Sequence, residues 1–212
     1  FLNDLCISVF HTLYPKRALG YSEYGAECMP HLHSKHPKRG DNSEEYQANY
    51  HEFMLRCFER HPYMRGTYVW NMFDFPADAR NQGGEPGMNQ KGLVTFDRKT
   101  RKDSFYVYKA YWSKQPFVHI AGKRFENRTG RNTTIKVYTN CTGGVKLTCN
   151  GKEIAGKTKD GHVYAFKVRL EDKCEITALS GTCSDKCVIR KVSSPDPAYK
   201  LHVHSETQSW QK

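Results

Sequence analysis

The sequence predicts an α/β first half followed by an all-β second half: the last part of a (β/α)8 TIM barrel, then an immunoglobulin-like β-sandwich. Three observations carry this. Residues 1–115 alternate apolar strand-like runs with helical stripes, the pattern of a parallel sheet covered by helices. After Pro116 the period changes to two, with turn signals every 8–12 residues. Two strand–helix units are far short of the ~250 residues of a whole barrel. They read as its last two units, with Leu2 to Leu13 as the tail of the helix before. The expected division is barrel end 1–115, sandwich 116–193 and tail 194–212.

Each element has its own signal. Ala18 to Glu23 is a short apolar strand, and the His/Lys/Pro-rich stretch His31 to Asp41 is a loop. Asp41 to Glu45 offers a capping residue and acids that suit a helix N-terminus. Tyr46, Tyr50, Phe53, Met54 and Phe58 then recur at three- and four-residue steps, predicting the buried stripe of a helix that Pro62 stops. Thr67 to Phe73 reads as the next strand. A long loop runs from Pro76 to about Lys91, with Gly83, Gly84 and Gly87. Lys102 to Trp112 is a second helix, anchored by Phe105, Tyr108, Ala110 and Trp112. In the second half, Thr133–Thr139, Val145–Cys149, His162–Leu170, Cys174–Leu179 and Cys187–Val192 belong to a set of about six strands. Asn150-Gly151 marks a hairpin turn. No internal repeat is visible.

Composition narrows the function classes. The net charge is +11. Residues 1–115 hold 16 Lys/Arg against 13 Asp/Glu, so the excess lies after Pro116. There the bases are scattered along alternating strands (Lys146, Lys152, Lys157, Lys159), without a recognition helix or an aromatic-basic motif. This predicts a solvated basic face and no nucleic-acid partner. No apolar run approaches the ~20 residues of a membrane span. The eight Cys divide three and five between the halves, an odd count in each, which favours reduced thiols and a cytoplasmic setting. Cys183 and Cys187 lack zinc spacing, so no metal site is expected, and no cofactor is called for. Asn127-Arg128-Thr129, Asn132-Thr133-Thr134 and Asn140-Cys141-Thr142 match glycan acceptors, a pattern common by chance. The chain opens without a secretory signal or an initiator Met, and Leu5 to Phe10 reads like the middle of an element. A piece of a longer polypeptide is therefore expected.

Chemistry-bearing residues sit where the strands end. Glu23 closes the first strand, and Gly25 lets the backbone turn away. The C-terminal ends of barrel strands are where such folds keep their chemistry. Trp70 ends the second strand with a face suited to a pyranose. Asn89 and Lys91 lie in the Gly-rich loop that follows, as an amide and an ammonium for sugar hydroxyls or a sugar carboxylate. Asp74 and Asp78 are read as loop-orienting residues. His31, His33 and His36 lack a nearby acid in sequence and read as a solvated cluster.

Four ordered segments resemble one family: Tyr21-Ser22-Glu23-Tyr24-Gly25-Ala26; Tyr68-Val69-Trp70-Asn71-Met72-Phe73-Asp74-Phe75; Gly87 to Lys99; and Phe105 to Trp112. They look like the C-terminal part of a glycoside hydrolase family 2 barrel, with bacterial β-galactosidases as the nearest members. Phe117 to Gly122 and the following strands resemble the small β-sandwich after that barrel. The resemblance implies that Glu23 is the nucleophile of a retaining exo-glycosidase acting on terminal β-D-galactosides. It implies that Trp70, Asn89 and Lys91 hold the sugar. It also implies that the acid/base glutamate lies upstream of this chain, so the segment alone is expected to be inactive. Asn89-Gln90-Lys91 matches the Asn-x-Lys pattern with which the family's β-glucuronidases hold a sugar carboxylate, which makes a glucuronide the alternative. A non-catalytic carbohydrate-binding module is a further one. The expected partners are a β-galactoside or related oligosaccharide and the missing N-terminal part of the same polypeptide. Homo-oligomerisation of the full-length enzyme is an open expectation.

Overall fold

A computed structural model describes residues 2–81 and 84–194. Gly83 and the tail beyond residue 194 lie outside them. The first half runs α1 (Leu2–Leu13), β1 (Leu19–Tyr24), α2 (Glu44–Glu59), β2 (Met64–Val69), a small ribbon of β3 (Phe75–Pro76) and β4 (Met88–Asn89), then α3 (Asp103–Trp112). β1 and β2 pair in parallel, with Tyr21 opposite Thr67 and Tyr24 opposite Val69. The second half comprises β5 (Val118–Ile120), β6 (Asn127–Arg128), β7 (Asn132–Thr139), β8 (Lys146–Cys149), β9 (Lys152–Ile154), β10 (Gly156–Thr158), β11 (Val163–Arg169), β12 (Lys173–Ser180) and β13 (Cys183–Lys191).

These nine strands form two facing sheets, ordered β10-β11-β7-β5 and β6-β13-β12-β8-β9. Pairing is antiparallel except for β6 against β13. β12 alternates outward and buried residues along its whole length, as a strand with one face on a core must. Ile120, Ile135, Val137, Leu147, Phe166 and Ile176 fill the space between the sheets. The expectation of about six strands falls short because β6, β9 and β10 are two or three residues long, too short to show a period. Cys183–Lys191 also begins four residues before the predicted strand, behind a two-residue turn at Gly181 and Thr182.

The α2 stripe differs from the prediction. Tyr46, Tyr50, Phe53 and Phe58 are half-buried, whereas Glu44, Gln47, His51 and Glu52 are buried. α2 is covered on more than one side, and its buried polar groups are paired: Glu52 accepts from Lys136 Nζ and Tyr138 Oη at 2.7 Å each. The cap is Ser43, whose hydroxyl accepts the Tyr46 amide. Trp112, expected as an anchor, is exposed. β2 stops at Val69 rather than continuing to Phe73, because residues 71–74 pair instead with residues 93–94. Leu93 N donates to Asn71 O, Val94 N to Met72 O, and Asp74 N to Val94 O.

The halves are packed together. A second apolar cluster joins Tyr24, Met54, Leu55, Val107 and Tyr108 to Phe117, Ala121, Tyr138 and Val163. Asp103 crosses the seam, accepting from His119 Nε2 at 2.9 Å and from the Gly122 amide at 2.6 Å. Arg124 pairs with Glu44, and Tyr111 Oη donates to Asp160.

Candidate active site

Glu23 is the penultimate residue of β1, and its side chain is exposed. Among the described residues its carboxylate has no hydrogen-bond or ion-pair partner. The next residue, Tyr24, accepts the Trp70 amide at 2.8 Å, which ties the end of β1 to the end of β2. The Trp70–Asn71 peptide is cis. Trp70 is 38% exposed and makes an edge contact with Phe75 at 5.8 Å between centroids.

Gly25 sits where three segments meet. A Cβ there would fall 1.9 Å from the Trp70 carbonyl oxygen and 3.7 Å from Lys91 Cβ. Only glycine admits this approach. Asn89 is buried at the end of β4, and its Oδ1 accepts the Lys91 amide at 3.1 Å. Lys91 is half-buried and makes no ion pair among the described residues. The backbones bearing Glu23, Trp70, Asn89 and Lys91 thus come together around Gly25.

Beneath them lies a polar hub that the sequence reading missed. Lys102 is fully buried, and its three ammonium protons serve three segments. Nζ donates to Cys28 O at 2.9 Å, Gln90 O at 3.0 Å and Asp74 Oδ1 at 2.8 Å. Asp74 also accepts the Gly92 amide, and a Cβ on Gly92 would fall 2.1 Å from Asp74 N. Burial raises the Asp74 pKa above the ordinary carboxylate value despite the neighbouring Lys102. The Gln47 amide, from α2, donates to Ala26 O and Gly92 O and accepts the Ser104 hydroxyl. Glu27 accepts the Gln90 amide and pairs with Arg80. Asp74 therefore does orient the loop, as expected of it. Lys102 gave no signal because it sits in a basic run that reads as solvated surface. His33 corrects the expectation of a cluster without acids: its Nδ1 lies 3.0 Å from Glu45 Oε1, an acid supplied by the first turn of α2.

One cluster has the composition of a metal site. Asp4, Cys57 and His61 place ligand-type atoms within 4.8 Å of one another. Both His61 nitrogens are engaged, by Cys57 O at 2.7 Å and the Ser8 hydroxyl at 3.0 Å. Asp4 pairs with Arg60, and burial pushes the Cys57 thiol up to about 11, away from the thiolate a metal needs. These residues tie α1 to α2. All eight cysteines are free thiols. Among the described residues no helix is long and apolar enough to cross a membrane.

No family model matches the chain. A β-glucuronidase of Bacteroides fragilis is 42% identical over 135 residues, which is 61% of this chain and 19% of the relative. A β-galactosidase of Bacteroides ovatus is 28% identical over 127 residues, 58% of this chain and 15% of the relative. The crystal structure of an FMN-binding β-glucuronidase from Facaelibacterium prausnitzii L2-6 superposes with a TM-score of 0.89 at 47% identity, covering 95% of this chain and 31% of that one. The chain thus spans under a fifth of the length of these curated relatives and about a third of the solved one. Its homologues are glycoside hydrolases of the family 2 type, most of them named β-glucuronidase, and it resembles their C-terminal region.

Proposed function

We propose that this chain is the nucleophile-bearing C-terminal part of a retaining β-glucuronidase, with residues 1–115 closing the catalytic barrel and 116–193 forming the sandwich that buttresses it. The observation that carries the reading is Lys91. Among the described residues its ammonium has no acid partner, and its Cβ adjoins Gly25, two residues beyond Glu23. Asn89 Oδ1 fixes its backbone. A uronic acid presents one carboxylate, and an unpaired ammonium beside an amide suits it. The names of the relatives also favour a glucuronide over the galactoside first expected.

In this reading the Glu23 carboxylate attacks the anomeric carbon. The C1–O bond to the aglycone breaks, and the leaving oxygen takes a proton from an acid/base residue elsewhere in the enzyme. Water then gives a proton to that same residue, attacks C1 and releases Glu23, so two inversions retain configuration. Trp70 offers its face to the sugar ring, and Lys91 with Asn89 holds the carboxylate. Holding the uronate at one end and the nucleophile at the other fixes C1 for in-line attack.

The test compares nitrophenyl glucuronide and nitrophenyl galactoside in the enzyme that contains this chain, with and without Lys91→Ala. Preference for the glucuronide, lost in the variant, supports the reading. Glucuronide cleavage that survives Lys91→Ala refutes the pairing. One relative is named for binding FMN, which makes a flavin phosphate a useful probe of this chain as well.

A further inference from the structure

Asn89 and Lys91 flank Gln90, and Gln90 is bonded through its amide, its carbonyl and its side chain. It is 8% exposed. Its carbonyl accepts from the Cys28 amide and from Lys102 Nζ, at 3.0 Å each. Its Oε1 accepts the Glu85 amide at 3.0 Å, which holds the turn before β4. A Cβ on Gly84 would fall 2.4 Å from that oxygen, so the turn lies directly on Gln90. The Gln90 amide donates to Glu27 Oε2 at 2.9 Å.

Glu27 reaches this point from the nucleophile's side. It lies four residues after Glu23, on the segment that leaves β1. Its carboxylate oxygens are divided between two partners: Oε2 takes the Gln90 amide, and Oε1 pairs with Arg80. Arg80 stands on the outgoing leg of the loop and Gln90 on the returning leg. The legs close on each other where Gly87 N donates to Arg80 O and Ala77 N to Gly87 O, at 2.8 Å each. One side chain thus bridges the exit of β1 and both legs. The side chains of Glu27 and Arg80 are 18% and 19% exposed, so this charge-assisted pair is largely withdrawn from water.

We propose that Glu27 is a positioning residue for the uronate clamp: by fixing Gln90 directly and through Arg80, it sets where Asn89 and Lys91 stand relative to Glu23. This rests on the glucuronidase reading. Glu27 acts through Gln90 and need not touch the sugar. The constraint matters because the loop backbone is permissive, with Gly84 beside Gln90 and Gly87 at a φ of +72°. A uronate carboxylate and C1 lie at opposite sides of one rigid ring, so a shift of the loop of ~1 Å is felt at the Lys91 pair. Lys91 holds the carboxylate before and during attack. Its displacement therefore weakens ground state and transition state alike, which raises KM and keeps kcat.

The experiment measures kcat and KM for nitrophenyl glucuronide in the enzyme that contains this chain, with Glu27→Ala, Glu27→Gln, Arg80→Met and the pair Glu27→Ala/Lys91→Ala. Glu27→Ala should raise KM at least about tenfold and change kcat by less than about threefold. Glu27→Gln keeps an acceptor for the Gln90 amide and should recover most of that loss. Arg80→Met keeps the Gln90 bond, loses the second anchor and should give a smaller rise. In a Lys91→Ala background, Glu27→Ala should add less than about threefold, because the contact it positions is already gone. A wild-type KM in Glu27→Ala overturns the proposal, as does a fall in kcat with KM kept, or a full tenfold effect in the Lys91→Ala background. Should Glu27→Ala not fold, Arg80→Met decides, and an unchanged KM there overturns the proposal. A parent enzyme that leaves the glucuronide uncleaved refutes the glucuronidase reading and this inference with it; cleavage with KM unmoved by these variants refutes this inference alone.

Discussion

Replacing Lys102 with Met removes one charge and keeps the length of the side chain. Its consequences follow from the three bonds that Nζ makes. Asp74, 4% exposed, would keep only the Gly92 amide as a donor, and the Cys28 carbonyl would lose its ammonium. The Gln90 carbonyl would still hold the Cys28 amide. Breaking a buried ion pair by removing one partner costs ~3–5 kcal/mol. We expect a loss of about 4 kcal/mol, a large share of the ~5–15 kcal/mol that a domain has. The penalty should depend on pH with a definite sign. Asp74 already has a folded-state pKa above its unfolded value, and losing Lys102 raises it further. A carboxyl of that kind favours the fold at low pH and loses the contribution as pH rises through its folded pKa. The loss should therefore be larger at pH 7.5 than at pH 5.5. Adding Asp74→Asn should recover about 2 kcal/mol, the coupling expected of contacting residues, and it restores a measurable folded state if the single variant has none. Urea unfolding at the two pH values reads all three quantities. A loss below about 1 kcal/mol, or one equal at both pH values, would refute the reasoning.

Other outcomes follow from the same geometry. Glu23→Gln in the enzyme that contains this chain should lower kcat by several orders of magnitude and leave the melting temperature unchanged; near-normal turnover contradicts the role of Glu23. Lys91→Ala should reduce kcat/KM for a glucuronide about 100-fold, as losing a charge-assisted bond of ~2–3 kcal/mol implies, with little effect on a galactoside. Gly25→Ala should displace the Trp70 carbonyl and cut activity with either glycoside, because a Cβ has no room there; unchanged kinetics would show that the three segments tolerate separation. His51 is fully buried against Tyr108 Oη at 2.8 Å, and burial lowers its pKa to about 3. A depressed folded pKa gives stability that is present above the unfolded value and lost as pH falls toward 3. Between pH 7.5 and pH 5 the chain should therefore lose about 2 kcal/mol more than a His51→Gln variant does. Equal losses in the two proteins would place a charged imidazole in the fold.

The strands of the second half were legible wherever one face meets the core. β12 alternates throughout and β11 does so from Phe166 on, because every second side chain is removed from water, whereas Val137, Tyr138 and Thr139 of β7 are buried in succession, Tyr138 packing against the first half. The short strands β6, β9 and β10 were not, because pairing with neighbours creates them and no period fits two or three residues. The face of α2 was misjudged for a related reason. Gln47, His51 and Glu52 look solvent-facing by residue type, yet each is buried and bonded to a partner far along the chain. Glu23, Trp70, Asn89 and Lys91 stood out because each lies at a break in a strand or loop. Their support did not. Lys102 reaches partners 74, 28 and 12 residues away, and two of those are backbone carbonyls, which any sequence supplies.

The central claim is that Glu23 forms the glycosyl-enzyme of a glucuronidase. Incubating the enzyme that contains this chain with a 2-deoxy-2-fluoro β-glucuronide bearing a good leaving group, then mapping peptides by mass spectrometry, tests it directly. The account predicts one covalent sugar per chain, on the peptide that carries Glu23, and none in Glu23→Gln. A stable adduct on another residue, or labelling that persists in Glu23→Gln, would contradict it.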